Sequence, residues 1–231
     1  MTTVFVAPED WESERLELEG AVFHHLFRVA RLAAGDTLRV ADGAGRARTG
    51  RIESVGRASA SIVLGEPAAT NEPAVEITLL VVGPKKPRAE WLVEKTTELG
   101  VHAVRFLRSE RGPRSYGDGA FKRLRRVARS AAEQCGRSRL PEVTGMHHWD
   151  EIAALVHDSE NRLVLDRSGA SLSSRLSSSR LAVLVGPEGG FSPAELDALA
   201  AQGFSTAAIG DTTLRVETAC VVAVAGCVLA H

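Results

Sequence analysis

Apolar residues follow two rhythms along the chain: short alternating runs over the first 70 residues, and longer apolar blocks from residue 74 onward. In the first part, Val22, Leu26, Val29 and Leu32 recur at the spacing of one helix face, which predicts a helix over residues 21–32. The other apolar runs are strand-like and are separated by turns that contain glycine; they lie at residues 16–18, 37–40, 46–52 and 59–64. Residues 1–70 are therefore predicted to form a small β-barrel domain, and the proline-containing stretch 66–73 is its linker to the rest.

The second part predicts an α/β domain over residues 74–231. Its apolar blocks are continuous, as expected for strands buried on both faces of a mainly parallel sheet. Strands are predicted at residues 77–82, 101–107, 163–165, 181–185 and 206–209. Helices are predicted between them, at residues 88–99, 118–135, 193–202 and 217–230. The serine-rich stretch 168–180 is predicted to be a mobile surface loop.

Charge is distributed unevenly. The net charge of the chain is −1, yet fifteen Lys and Arg face six Asp and Glu between Pro84 and Pro141, a surplus of nine basic charges. A strongly basic third in a near-neutral protein indicates one face that binds a polyanion, although a solvated helix face would give the same count.

Composition is typical of a globular protein, with 44% hydrophobic and 25% charged residues. No apolar run reaches the ~18–20 residues of a membrane span, and the first residues lack the pattern of a secretory signal. The three cysteines, Cys135, Cys220 and Cys227, form no Cys-x-x-Cys pair, so a reducing cytoplasm is the expected location. No His, Cys and Asp cluster has zinc-ligand spacing, so no metal is expected.

A glycine-rich loop follows the predicted strand 181–185. The chain turns through residues 186–190 and enters a helix at Ser192-Pro193-Ala194-Glu195, a capping box with proline at the first helical position. Glycines let a backbone approach a ligand closely, and ligands bind at the carboxyl ends of strands in α/β sheets. The loop matches neither the phosphate-loop nor the dinucleotide pattern. Its residues alone also allow a tight turn without a ligand.

A second segment, residues 209–219, runs from a strand through a polar loop into an apolar helix. Arg215 stands just before that helix and needs a partner, because unpaired buried charge is unfavourable. Glu217, Glu188 or an RNA phosphate could supply it. Glu217 can equally be a simple helix-start acid that the dipole favours.

Six sequence blocks, in this order, resemble the ribosomal RNA small-subunit uracil-N3 methyltransferases, the RsmE family. They lie at residues 23–36, 90–101, 109–111, 131–137, 186–192 and 214–219. The resemblance implies an N-terminal PUA-like β-barrel that binds RNA and a C-terminal SPOUT α/β domain, residues 74–231, with a trefoil knot. It also implies a homodimer, S-adenosylmethionine as cofactor, and 16S rRNA or the small ribosomal subunit as partner, with methylation at N3 of a specific uridine.

The resemblance also implies site residues. The cofactor-binding residues would be Leu165, Val185, Gly186, Pro187, Glu188, Gly189, Gly190, Ile209, Gly210, Leu214, Thr218 and Ala219. For catalysis we expect Arg215 to stabilise the uracil anion, with Arg111 of the partner subunit as a second candidate and Glu217 orienting Arg215. The RNA-binding residues would be Arg28, Arg31, Lys85, Lys86, Arg88, Arg125, Arg129 and Arg137.

Three alternatives stay open from the sequence. Another SPOUT methyltransferase, acting on transfer RNA ribose, is disfavoured by the N-terminal blocks. An RNA-binding assembly factor without catalysis is disfavoured by the presence of Gly186, Gly189, Gly190 and Arg215. A nucleotide-hydrolysing protein is disfavoured because neither a phosphate loop nor paired metal-binding carboxylates are found.

Overall fold

The computed structural model describes residues 2–84, 86–108 and 116–231. The chain forms two compact units. The first comprises Met1–Glu72 together with Ala132–Leu140, and the second comprises Pro73–Ala131 together with Pro141–His231.

The first unit is built on a five-stranded sheet with the order β1-β3-β4-β5-β2. Its strands are β1 (Thr3–Phe5), β2 (Arg15–Glu19), β3 (Thr37–Ala41), β4 (Ala47–Val55) and β5 (Ser59–Pro67). β1 pairs in parallel with β3, and the other neighbours are antiparallel. Every second residue points inward, so Leu38, Ile52 and Ile62 are at most 1% exposed. The four strands predicted here are confirmed; β1 was not predicted.

One helix packs on this sheet. α1 (Gly20–Phe23) continues into a π-helical turn, His24–Val29, whose buried Leu26 and Phe27 join the core of the first unit. The predicted helix over residues 21–32 is confirmed up to Val29.

A largely buried carboxylate, that of Glu72, joins the segment Ala132–Leu140 to the first unit. Glu72 Oε2 accepts hydrogen bonds from Arg137 Nη2 at 2.7 Å and Nε at 3.1 Å. Glu72 Oε1 accepts from the backbone amides of Ser138 at 2.8 Å and Arg139 at 3.0 Å. Burial raises the pKa of Glu72, but the hydrogen bonds and charge of Arg137 and the two amides outweigh burial and hold that pKa below its ordinary value.

The second unit is a six-stranded parallel sheet with the order β11-β9-β10-β6-β7-β8. Its strands are β6 (Glu76–Val82), β7 (Ala103–Leu107), β8 (Glu142–His147), β9 (Asn161–Ser171), β10 (Arg180–Val185) and β11 (Phe204–Ala208). Its helices are α2 (Lys86–Glu98), α3 (Asp118–Cys135), α4 (Ile152–Leu155), α5 (Pro193–Ala201) and α6 (Val216–Leu229). The last turn of α3 is counted with the first unit.

Helices cover both faces of this sheet, which explains the continuous apolar runs of its central strands. On β10, Val183 and Val185 face a core that includes residues of α2, α3 and α6, whereas Ala182 and Leu184 face a second core with residues of α4 and α5. The predicted α/β class, the five predicted strands and the four predicted helices are confirmed. β8 and α4 were not predicted, and the trefoil knot stays a prediction.

The serine-rich stretch 168–180 differs from its prediction. β9 continues through Ser171 and pairs with β11, and a 3-10 turn (Leu172–Arg175) follows, with Leu172 buried. A Cβ on Gly169 would lie 2.5 Å from the Ala207 nitrogen, so the two strands approach closely there. The loop prediction is therefore wrong for residues 168–171, because strand pairing overrides the low-complexity composition there.

Candidate active site

A cleft of about 450 Å³ opens at the carboxyl ends of β10 and β11, beyond the last β9–β10 pair, Val164–Leu184. Three segments line it. They are residues 165–168, residues 185–191, and a set from the third segment, Ala207, Ala208, Ile209, Gly210, Thr212, Thr213, Leu214, Val216 and Ala219. All these segments belong to the second unit. A volume of this size falls within the ~300–1,000 Å³ typical of small-molecule sites.

The structure brings nearly all the predicted cofactor-binding residues to this cleft. Those that line it are Leu165, Val185, Gly186, Pro187, Glu188, Gly189, Gly190, Ile209, Gly210, Leu214 and Ala219. Thr218 is not among the lining residues; it lies in the first turn of α6 and is partly buried. That these twelve residues bind a cofactor stays a prediction.

The glycine-rich loop forms one wall with its backbone. The Gly190 amide donates to the Pro187 carbonyl at 2.9 Å and Gly190 has φ +70°, a conformation that favours glycine. A Cβ on Gly186 would lie 2.6 Å from the Phe191 ring, which folds back over the loop. A Cβ on Gly189 would meet nothing within 4 Å. The loop therefore presents bare peptide groups to the cleft.

The predicted capping box fixes where this loop ends. Ser192 Oγ accepts from the Glu195 amide at 3.3 Å, and Glu195 Oε2 accepts from the Ser192 amide at 2.7 Å, with Pro193 at the first helical position. This prediction is confirmed. The turn is thus held from its helical side independently of any ligand.

Arg215 lies at the start of α6 and is exposed, with extended backbone at ψ 152°. Within residues 2–84, 86–108 and 116–231, no hydrogen bond or ion pair reaches its guanidinium. The expected pairing of Arg215 with Glu217 or Glu188 is therefore not found. The reason is geometric: Glu217 stands two residues further on, about 200° around the helix, and turns inward instead.

Glu217 pairs with Arg88. The residue is 7% exposed, and its Oε1 lies 3.4 Å from Arg88 Nε, whereas its buried Oε2 has no hydrogen-bond partner among the described residues. Arg88 Nη1 also donates to Glu188 Oε1 at 3.1 Å. Sequence reasoning missed this pairing because Arg88 precedes Glu188 by 100 residues.

The predicted RNA-binding residues are placed differently from one another. Arg28 and Arg31 are exposed in the first unit, and Arg125 is exposed on α3, while Arg129 is partly exposed. Arg137 is 3% exposed and bound to Glu72, so its charge is enclosed and the prediction that it contacts RNA is corrected. Lys85, Arg111 and the side chain of Lys86 lie outside the described residues.

Helix α3 carries a row of basic residues that spacing alone could have revealed. Lys122, Arg125, Arg126 and Arg129 stand at i, i+3, i+4 and i+7, which places them on one helix face, and the first three are exposed. We call these four residues the α3 stripe. Lys122 was not singled out from the sequence, and neither it nor Arg126 was among the predicted RNA-binding residues.

Across the part of the chain that the structure describes, no three His, Cys, Asp or Glu side chains gather as metal ligands would. In the same ranges, no helix has the length and apolarity needed to cross a membrane.

Comparisons with known proteins agree with this fold. Residues 70–227 match the family described as RNA methyltransferase domain, and residues 18–65 match the RNA methyltransferase PUA domain. The chain is thus an RNA methyltransferase, with a SPOUT-like α/β domain and a PUA-like N-terminal domain.

The particular family follows from full-length relatives. The chain is 30% identical to Ribosomal RNA small subunit methyltransferase E of Synechocystis sp. over 227 residues, covering 95% of this chain and 75% of that protein. The protein of the same name from Bacillus subtilis is 28% identical over 223 residues, covering 90% and 87%. The crystal structure of the Neisseria gonorrhoeae protein of that name, bound to S-adenosyl methionine, is 27% identical with a TM-score of 0.86, covering 97% and 95%. The chain belongs to the ribosomal RNA small subunit methyltransferase E family.

Proposed function

We propose that this protein uses S-adenosylmethionine to methylate N3 of a specific uridine in 16S rRNA. The single observation that carries the proposal is the cleft at the carboxyl ends of β10 and β11, because the segments that resemble the family's cofactor loops converge there. The family membership and the cofactor-bound Neisseria gonorrhoeae relative support the same reading.

The cleft fits such a cofactor. The bare backbone of residues 186–190 would hold its polar groups, and Leu165, Ile209 and Leu214 offer apolar surface to an adenine ring. Bound there, S-adenosylmethionine supplies a methyl group activated by a sulfonium. The remaining task of the protein is to position uracil N3 and to offset the charge that develops on the base.

Arg215 is our candidate for the residue that offsets the negative charge on the base. Uracil N3 carries a proton, which goes to solvent on methylation, and a guanidinium beside the base would stabilise the anion. Arg215 is exposed and has no partner within the described ranges, so its charge is available to a substrate. Arg111 of the partner subunit is a second candidate.

Substitution tests this role of Arg215. Arg215→Ala should lower kcat by about 10²- to 10³-fold, as the loss of one anion-stabilising donor does elsewhere. RNA and cofactor affinities should change little, and Arg215→Lys should recover part of the rate. Full turnover by Arg215→Ala with unchanged RNA binding would contradict the assignment.

RNA contact is proposed for exposed or partly exposed basic residues of both units: Arg28 and Arg31 in the first and the α3 stripe in the second. These side chains can neutralise phosphates, which positions an RNA without reading its sequence.

We also propose that the protein is a homodimer and that it works in the cytoplasm. The exposed apolar side chains of Val222 and Leu229 on α6 support a partner surface, and light scattering after gel filtration tests it.

Nucleoside mass spectrometry of rRNA from a deletion strain tests the whole proposal. Loss of N3-methyluridine, restored by the wild-type gene and not by Arg215→Ala, is the expected result. Persistence of that nucleoside would exclude this function. If the protein were instead a non-catalytic RNA-binding factor, its deletion would leave N3-methyluridine in the rRNA. The purified protein would then give no calorimetric heat with S-adenosylmethionine.

A further inference from the structure

One guanidinium touches both sides of the cleft. Arg88, in the first turn of α2, reaches Glu188 of the glycine-rich loop at 3.1 Å and Glu217 of α6 at 3.4 Å. Glu188 lines the cleft, and the neighbours of Glu217, Val216 and Ala219, also line it. The two walls come from chain segments almost 30 residues apart, so a side chain from a third element connects them.

The two contacts differ in strength. The Glu188 side chain is 69% exposed, so its pair with Arg88 is screened by solvent and weak. The Glu217 side chain is 10% exposed, and Val216, Ala219 and Cys220, close to it along the chain, are buried as well. A carboxylate in such surroundings is unfavourable without a cation, and one of its oxygens already has no partner among the described residues. Among the described residues, Arg88 is the cation that pairs with Glu217 at the start of α6.

We propose that Arg88 is a positioning residue of the cofactor site, which fixes the glycine-rich loop and the first turn of α6 relative to each other by holding Glu188 and Glu217 at once. This inference rests on the proposed function, because it concerns the same cleft. It gives Arg88 a role at the cofactor site in place of the RNA contact that was predicted from the sequence.

The local charge favours positioning over RNA contact. Arg88 faces two carboxylates, so these three side chains together carry a net negative charge, which disfavours a phosphate at this guanidinium. An arginine of the α3 stripe such as Arg126 is, by contrast, exposed on a basic face.

Calorimetry with S-adenosylhomocysteine measures the effect. Arg88→Met should raise the Kd about tenfold, equivalent to ~1.4 kcal/mol. Arg88→Lys keeps the charge and loses the fork that spans two acceptors, so it should give a smaller increase. Glu188→Gln, at the exposed contact, should have the smallest effect.

A double-mutant cycle separates positioning from a general loss of stability. If Arg88 acts by holding the Glu217 charge, then Arg88→Met should matter much less in a Glu217→Gln background than in the wild type. Additive effects of the two substitutions would overturn the inference. Thermal unfolding of each variant shows how much of each change in Kd comes from a loss of folding stability.

Arg180→Met is the matched control. Arg180 is also a half-exposed arginine paired with a glutamate, Glu160, but it lies at the amino end of β10, the opposite end of the strand from the cleft. It should leave the Kd unchanged. If the wild type binds S-adenosylhomocysteine and both Arg88→Met and Arg88→Lys bind it equally well, the inference about Arg88 is wrong, whereas the proposed function stands. If the wild-type protein itself gives no heat with S-adenosylhomocysteine, both the inference and the proposed function are wrong.

RNA binding separates the two roles of Arg88. The salt dependence of RNA affinity should be the same for wild type and Arg88→Met. A slope reduced by ~0.7 to 0.9 with an unchanged cofactor Kd would show that Arg88 contacts a phosphate, against the inference.

Discussion

Each unit contains a largely buried glutamate that pairs with an arginine, and the two pairs differ in how completely the carboxylate is bonded. In the first unit, Glu72 accepts two hydrogen bonds from Arg137 and two from backbone amides, and Arg137 is 3% exposed. In the second unit, Glu217 has one ion pair with Arg88, whose side chain is 41% exposed, and one oxygen without a partner among the described residues.

In our proposal, the first pair stabilises the fold of its unit and the second positions the cofactor site. A closed, fully bonded network fixes one arrangement, and here it joins a distant segment to the first unit. A guanidinium shared between two carboxylates at a cleft makes one contact with each of them, and in our proposal it holds two walls of that cleft in place. Polar groups that are less than fully bonded thus lie where the protein binds its cofactor in our proposal.

Removing the cation of the closed pair should have the largest effect on stability. Arg137→Met leaves the largely buried Glu72 without its main partner. Breaking a buried pair costs ~3–5 kcal/mol, an upper figure here because the Glu72 side chain is 15% exposed. Urea unfolding of Arg137→Met against the wild type measures this. Arg180→Met, at an exposed pair, is the control and should cost at most ~1 kcal/mol. A loss from Arg137→Met no larger than that of the control would show that the closed network does not hold this unit together.

The same pair predicts a pH dependence. The folded-state pKa of Glu72 lies below its ordinary value of 4.5, so its ionised form contributes stability above that value. This contribution is lost as the pH falls through the lowered pKa. The stability difference between wild type and Glu72→Gln should therefore be largest near neutral pH and shrink in acid. A difference that stays constant from pH 7 to pH 3 would contradict it.

The sequence predicts the elements of both units better than their contacts. Periodicity and capping residues are local, so the strand at residues 181–185, the loop after it and the Ser192 capping box could all be predicted. The join of Ala132–Leu140 to the first unit could not, because Glu72 and Arg137 are 65 residues apart. The same holds for Arg88 and its two carboxylates. Counting basic residues also overestimates an RNA surface, since it cannot tell the enclosed Arg137 from the exposed Arg125.

A pair of glycines extends the comparison to packing. In the cleft, Gly186→Ala would place a Cβ 2.6 Å from the Phe191 ring, which must then move. We expect a Kd for S-adenosylhomocysteine raised about tenfold, equivalent to ~1.4 kcal/mol, with little change in unfolding. In the first unit, Gly50→Ala would place a Cβ 2.9 Å from Ile62 and from Val40, an overpacking that costs ~1–3 kcal/mol of stability.

Each glycine variant serves as the control of the other. Calorimetry and urea unfolding on both proteins should show a binding defect in one and a stability defect in the other. A Gly50→Ala protein that folds fully and binds S-adenosylhomocysteine more weakly would refute the assignment of the ligand to the second unit.

The smallest effect is expected at the α3 stripe, whose charges are exposed and screened by salt, in contrast to the enclosed charge of Arg137. Lys122→Gln combined with Arg126→Gln should leave folding unchanged and reduce the slope of log affinity against log salt for RNA by ~1.4 to 1.8, if each side chain neutralises one phosphate. Arg175→Gln combined with Arg180→Gln removes the same charge from exposed positions outside the stripe and should leave the slope nearly as in the wild type. Equal slopes for both double variants would mean that RNA senses only the overall charge, and that the stripe is a solvated helix face.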